Sequence, residues 1–318
     1  MNKKDVVALG ELLIDFTENG ISGQGNPVLE ANPGGAPCNV LSMLKRLGHE
    51  VSFIGKVGND MFGAQLEEAL KEVGIGTEGL LKDDKIHTTL AFVHTFPDGD
   101  RDFSFYRNAD VMLQEDEINE ELIKSCGILH FGSLSMTHDN CRRATKKAIE
   151  IARSSGAIIS FDPNLREPLW ETLDIAKEQI DYGMEQCDIL KISDNEIVWF
   201  TGETDYDKAA AVLAKEYNIP LITVSLGRNG SRAYYKDRKA EAAPFLQKNT
   251  IETTGAGDTF CASVLHYILE NGLYDLNDDR LKEMLIFANA AASIVTTRKG
   301  ALRVMPTKEE VTKLINQR

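Results

Sequence analysis

Short apolar runs alternate with amphipathic stretches along most of this chain. Val6–Gly10, Val51–Ile54, Ile128–Phe131, Ala157–Phe161, Asp188–Ile192 and Leu221–Ser225 are brief, apolar-rich and bounded by Gly, Asp, Pro or Ser. Runs of this length suit strands buried on both faces. Between them, apolar residues return at helical spacing. Val40, Leu41, Leu44 and Leu47 form one face that stops at Gly48, and Phe62–Val73 stops at Gly74. The same spacing predicts helices over Asn140–Ser154, Thr172–Gln186, Asp194–Thr201, Tyr206–Tyr217 and Leu281–Thr296. Strands alternating with helices predict a mainly parallel sheet covered on both faces.

Three stretches break the rhythm. Glu11 to Ala31 carries Gly20, Gly23, Gly25 and Pro27 and reads as irregular strands, while Gly55 to Asp60 reads as a loop. Thr88–Phe96 and Arg101–Tyr106, joined by Pro97-Asp98-Gly99-Asp100, read as a hairpin inserted into the series, either decoration or a lid. Ser231–Tyr235 and Lys239–Ala243 read as an antiparallel edge.

Composition changes this picture little: 318 residues, 42% hydrophobic and 26% charged, suit one large α/β unit with an insertion. The net charge of −14 argues against nucleic acid or an anionic membrane as partner, since both need basic surface. It leaves room for ATP, which a few placed cations and Mg²⁺ can hold. Cys38, Cys126, Cys141, Cys187 and Cys261 are widely spaced without a C-x-x-C pair, so reduced thiols in a cytoplasmic protein are expected and a structural zinc site is not. Met1–Asp5 leads straight into Val6, too short a lead for a signal peptide, and no apolar run reaches membrane-spanning length.

The candidate chemistry centres on Thr250–Phe260. An extended segment enters Gly255-Ala256-Gly257, then Asp258, then a helix whose apolar face is Phe260, Val264, Leu265, Ile268 and Leu269. Glycines at a helix N-terminus expose amides that attract an anion, and Asp258 in the first turn can accept a proton beside it. That combination suits phosphoryl transfer to a hydroxyl. A tight turn capped by Asp258 is the plainer alternative. Asn32-Pro33-Gly34-Gly35-Ala36-Pro37-Cys38-Asn39 is a second sharp turn, placing Asn39 near a helix start as cap or ligand. Asp15, Asp162, Asn164, Arg166, Lys191, Ser193 and Gly227 mostly follow strand C-termini, the edge where open α/β sheets bind ligands.

Taken together, Gly34–Asn39 with Gly48 and Gly58, and Thr253-Thr254-Gly255-Ala256-Gly257-Asp258-Thr259-Phe260, resemble the two motifs of the ribokinase/PfkB carbohydrate kinase family. The resemblance covers essentially the whole chain. Asp162-Pro163-Asn164-Leu165-Arg166 and Phe105-Tyr106-Arg107-Asn108 are similar to its fructokinase and 2-keto-3-deoxygluconate kinase branch. It implies a ribokinase-like three-layer α/β/α sandwich with a small β-sheet lid. The main unit would be 1–10, 32–86 and 111–318, and the lid 11–31 and 87–110. It implies ATP-dependent sugar phosphorylation, with Asp258 as general base and the amides of Gly255, Ala256 and Gly257 as anion hole. Asp15, Gly34, Gly35, Asn39, Arg107, Asn164 and Arg166 would meet the sugar or the transferred phosphate. Lys191, Ser193, Glu196, Ser225, Gly227 and Gly230 would lie along the nucleotide and its Mg²⁺, with Asn289 near the adenine. A monovalent cation, usually K⁺, would sit at Glu252, Thr254 and the carbonyls near Val295, Arg298 and Gly300. Lid strands in this family often pair two subunits, which makes a homodimer part of the expectation.

The chain departs from the family pattern at four positions. Glu252 stands where Asp is usual, which puts the cation site in question, and Ser193 where Asn is usual. Leu41 and Ser263 replace small residues on helices. Fructose is the expected acceptor, 2-keto-3-deoxygluconate the alternative, and a non-catalytic sugar- or nucleotide-binding protein the alternative of another class.

Overall fold

The computed structural model describes residues 3–95 and 101–317. The chain opens with β1 (Lys4–Leu9), β2 (Leu13–Ile21), β3 (Pro27–Gly34), α1 (Ala36–Arg46), β4 (Val51–Gly58), α2 (Met61–Val73) and β5 (Gly76–Asp83). The pair β6 (Leu90–Thr95) and β7 (Arg101–Tyr106) follows, then α3 (Glu120–Lys124), β8 (Cys126–Gly132), α4 (Asp139–Ser154), β9 (Ile158–Asp162), α5 (Leu173–Gln186) and β10 (Ile189–Ser193). The rest comprises α6 (Asp194–Thr201), α7 (Tyr206–Tyr217), β11 (Leu221–Ser225), β12 (Ser231–Tyr235), β13 (Arg238–Ala242), α8 (Ala256–Asn271), α9 (Asp278–Val295) and α10 (Lys308–Asn316).

Among the described residues, one sheet runs β13-β12-β11-β10-β9-β8-β1-β4-β5. It is parallel from β5 to β11 and antiparallel across β12 and β13, as the alternation implied. The two-residue period of β1 shows why both faces are covered. Val6 and Ala8 join a core with residues of α1, α8 and α9, whereas Val7 and Leu9 join another with residues of α4, α5 and α7. The expected three-layer α/β/α arrangement follows. No helix among the described residues is long and apolar enough to cross a membrane.

The expected loop from Gly55 is instead the second half of β4, buried throughout. A Cβ on Gly55 would meet the Phe53 ring at 2.5 Å and the Gly10 carbonyl at 2.8 Å, so glycine here marks close packing within a strand. β5 had no apolar signature because it is an edge strand of mixed polarity, defined by pairing with β4. The helices α3 and α10 were also unforeseen. The expected Pro97–Asp100 turn lies outside the described residues.

A second sheet, β3-β2-β6-β7, carries the strands that broke the rhythm. Phe16 and Phe92 stack at 5.0 Å, and Phe62 of α2 meets Phe16 edge-on at 5.6 Å, fixing the sheet to the body. The root of β6 is pinned by Asp60, the N-cap of α2. Its carboxylate accepts from the amides of Phe62 (3.1 Å) and Gly63 (2.9 Å), and from the amide (2.8 Å) and hydroxyl (2.7 Å) of Thr88. Burial alone would raise its pKa, but these donors hold it below the usual carboxylate value. Thr89 donates to Asp110 and accepts from the Asn108 amide where β7 ends. Asp60→Ala therefore removes a helix cap and the anchor of β6 together. It should lower stability by about 2–3 kcal/mol in urea unfolding, and Asp60→Asn by less. Equal losses for the two variants would refute the capping role.

Candidate active site

α1 and α8 begin in one cleft, at the C-terminal ends of β1, β9 and β10. Each start needs a residue without a side chain. Gly35 has a φ of 132°, and a Cβ there would lie 2.4 Å from the Glu11 carbonyl. Gly255 has a φ of 75°, and its Cβ would lie 2.6 Å from that of Ala301. Gly34 faces Asp15 so closely that a Cβ would sit 2.2 Å from a carboxylate oxygen. α1 has no cap from its own N-cap side chain. Glu11, just past β1, accepts from the Ala36 amide at 2.8 Å instead.

Asp258, in the first turn of α8, is 9% exposed, and its Oδ2 accepts from Asn39 Nδ2 at 2.8 Å. The helices are thus joined by the two side chains that the sequence singled out at their starts. The cleft has a volume of about 490 Å³ and its lining includes Asp15, Gly34, Gly35, Asn39, Asn164, Arg166 and Lys191. Glu252, Thr254, Gly255, Gly257, Asp258 and Gly300 complete the predicted set in that lining. A hollow of about 340 Å³ shares Asn164, Arg166 and Lys191 with the cleft and extends along Ser193, Glu196 and Trp199. Asn164, common to both, holds a left-handed φ of 43°, which Asn tolerates better than most residues.

Carboxylates outnumber cations here. Lys191 Nζ lies 3.0 Å from Asp162, and a Cβ on Gly257 would be 3.3 Å from that ammonium. Burial pulls the Lys191 pKa down, but Asp162 and Glu196 outweigh it and hold it above the usual ammonium value. Burial pushes Asp162 up to about 6 despite Lys191. Burial pushes Asp15 up to about 7, against Arg166 and assisted by Glu252 and Asp258. Glu11 also reaches about 7, chiefly through burial. Asp258 is raised by burial, which outweighs the Asn39 hydrogen bond and the charges of Lys191 and Arg166. Glu196 is the exception. Lys191, Ser193 and the Leu165 amide overcome its burial and hold it low. It completes a capping box with Ser193 and accepts from Leu165 at 2.7 Å, which braces the Asp162–Arg166 loop.

Several predicted residues lie outside the cleft lining. Arg107 is paired with Asp110 at 2.6 Å and donates to the Leu134 carbonyl, one residue removed from the cleft. Ser225 ends β11, and Gly227 and Gly230 lie in the β11–β12 connection. Asn289 is buried, its amide donating to the carbonyls of Ala242 (3.1 Å) and Ala243 (3.3 Å). The Ala256 amide turns back to the Thr253 carbonyl at 3.2 Å. The Val295 carbonyl accepts from the Arg298 amide at 3.0 Å, and the Arg298 guanidinium is held by the Val304 carbonyl and Glu310. Glu252 accepts from the Gly300 amide at 2.7 Å, which joins the segment before α8 to the loop after α9. The sequence reading missed Glu11 and Lys299, both in the lining. A charged Glu11 within the otherwise uncharged, apolar-rich run Val6–Ile14 was the available signal.

The chain belongs to the pfkB family of carbohydrate kinases, whose profile matches residues 3–308. Over 311 residues it is 42% identical to probable fructokinase-2 of Arabidopsis thaliana, covering 96% of this chain and 94% of that protein. The Xylella fastidiosa fructokinase structure with bound ATP superposes with a TM-score of 0.89 at 29% identity, covering 99% of each chain. A double mutant of the Vibrio cholerae O395 fructokinase, in a form bound to fructose, ADP and potassium ion, gives a TM-score of 0.86 at 25% identity, again covering 99% of each chain.

The raised pKa of Asp15 has a defined sign for stability. Between about 4 and 7 the unfolded chain loses this proton while the folded chain keeps it, so this contribution falls as pH rises through that window. Asp15→Asn removes it. The melting temperature of the ligand-free variant should gain on wild type between about pH 5 and 7.5. A difference that does not change with pH would refute the assignment.

Proposed function

We propose that this protein transfers the γ-phosphoryl group of ATP directly to the primary hydroxyl of D-fructose, giving D-fructose 6-phosphate and ADP. The observation that carries the proposal is Asp258, buried at the glycine start of α8, hydrogen-bonded to Asn39 and preceded by Gly257, where a Cβ would lie 3.3 Å from the Lys191 ammonium. In this reading Asp258 takes the hydroxyl proton as the oxygen attacks in line. The helix-start amides of Gly255 and Gly257, the Lys191 ammonium and Arg166 stabilise charge on the transferring group. The Ala256 amide joins them only by leaving the Thr253 carbonyl. Asp15, Gly34, Gly35, Asn39 and Asn164 orient the sugar, worth more through alignment than through affinity.

The hollow beside Lys191 fits the nucleotide phosphates: it joins the cleft, offers Arg166 and Lys191, and contains Ser193 and Glu196. Asp162 and Glu196 are the carboxylates beside Lys191 suited to hold Mg²⁺, directly or through water. When bound, Mg²⁺ neutralises charge on the phosphate oxygens. Ser225, Gly227, Gly230 and Asn289 fall to the far end of the nucleotide, with Asn289 acting through its carbonyl oxygen or by shaping the β13 side. Residues 11–31 and 87–110 act as the lid over the sugar, excluding water that would otherwise hydrolyse ATP. Exposed Ile21, Val28 and Leu29 on that sheet support pairing of two chains through it. Five buried, unpaired cysteines suit a reducing, cytoplasmic setting.

Fructose is favoured over 2-keto-3-deoxygluconate by a specific feature. The acid substrate needs cations for its carboxylate, but Arg107 is committed to Asp110 and the cleft is rich in acids. A substrate panel with ATP tests this, and faster turnover of 2-keto-3-deoxygluconate than of fructose would overturn it. Asp258→Asn should lower kcat by about 10²–10⁴-fold with fructose while ATP still binds in calorimetry. Wild-type ADP release in that variant would remove Asp258 as base, and binding without turnover in the wild type would favour a binding protein. Because Asn39 holds the Asp258 pKa down, Asn39→Ala should move the acid limb of kcat/KM to higher pH.

We extend the proposal to a monovalent cation beside the anion pocket. Glu252, Thr254 and Gly300 share the cleft lining, and Val295 and Arg298 bracket the loop that Glu252 fastens. K⁺ should then activate the wild type, and Glu252→Gln should abolish that activation while leaving the K⁺-free rate. Equal K⁺ response in both would place the cation elsewhere.

A further inference from the structure

α8 ends in a second polar cluster, eight residues or about 12 Å along the helix from Asp258. His266 and Glu270 stand one turn apart on α8, opposite His49 in the link between α1 and β4. The His49 Nε2 and His266 Nδ1 atoms are 2.7 Å apart, and one donor atom from each of His49, His266 and Glu270 lies within 4.8 Å of the others. Both rings are nearly buried, at 7% and 6% exposure, while Glu270 is exposed. The other nitrogen of His49 lies 3.6 Å from Asp5, whose carboxylate is fixed by the Glu50 amide at 2.8 Å.

We propose that His49, His266 and Glu270 form a metal site separate from the catalytic cleft, taking a first-row transition ion and best suited to Zn²⁺. Two imidazoles and one carboxylate are a zinc donor set with the fourth position left to water, whereas Mg²⁺ and K⁺ prefer oxygen alone. Asp5 stands where a carboxylate orients a metal-bound imidazole from behind. Exposed Glu270 gives the ion its entrance. The 2.7 Å contact holds one ring proton between the two facing nitrogens, so an ion enters as that proton moves to the other nitrogen of its ring. Of the charged groups around the site, Asp5 and Glu270 favour a cation and Lys308 opposes it. Nitrogens at a tetrahedral zinc stand about 3.3 Å apart, so the rings must part by roughly 0.6 Å, a small tilt. A bound ion would fasten the far half of α8 to the α1–β4 link.

The test uses tag-free, chelator-stripped protein without nucleotide. Zn²⁺ should bind once per chain in calorimetry and raise the melting temperature, Mg²⁺ should do neither, and Co²⁺ should give the visible absorption of a tetrahedral site. Glu270→Gln, an exposed change, should leave the metal-free melting temperature unaltered and weaken Zn²⁺ binding by at least about tenfold. His266→Ala should lose the Co²⁺ spectrum. Undiminished binding in both variants, or no saturable binding by wild type at about 0.1 mM Zn²⁺, would overturn the site and leave an interior histidine pair only.

Discussion

The hydrogen bond from Asn39 to Asp258 exists because two helices from distant parts of the chain are made to begin at one point. Each helix enters through a glycine with a left-handed φ, and each glycine sits where a methyl group would collide, Gly35 with the Glu11 backbone and Gly255 with Ala301. The positive ends of α1 and α8 therefore open onto one cavity. In the proposed reaction that shared field lets a carboxylate and a transferring phosphoryl group occupy the same small space. Glu11 belongs to this arrangement. By accepting from the first amide of α1, it sets the helix that holds Asn39.

The cavity is also electrostatically crowded. Burial drives Glu11, Asp15, Asp162 and Asp258 toward their neutral forms, and the charges of Lys191 and Arg166 with hydrogen bonds from Asn39 and Ala36 oppose this from within the lining. A structure selected for stability alone would not gather so many acids in one place. Perturbed groups cluster where chemistry is done, and here a single ammonium lies among Asp162, Glu196 and Asp258. In the proposed reading of Asp258 as base, its raised pKa makes it a better proton acceptor than an ordinary surface carboxylate.

Much of this was legible in the sequence. Strands buried on both faces write themselves as apolar runs, so β1, β8, β9, β10 and β11 were visible. β5 was not, because an edge strand is specified by its partner's backbone. The glycine motifs located Gly34–Asn39 and Gly255–Asp258 because steric demands leave few residues that fit. Long polar side chains were harder. Arg107 had the composition of a ligand contact, yet Asp110 three residues later claims it. Asn289 lies within the body of α9 and its amide is taken by the β13 segment. Whether a buried polar group serves the protein or a ligand depends on which neighbour folding brings to it, and sequence spacing shows such a neighbour only when it is local.

The loop after α9 carries Gly300 to Glu252 and is itself held by Arg298 to Glu310 on α10. Asn39 likewise waits for Asp258. During translation the N-terminal strands and helices can form early, but the cleft lacks part of its lining until residues 252–301 have been made and have folded back. A partly synthesised chain, though already holding much of its sheet, would thus lack one wall of the cleft.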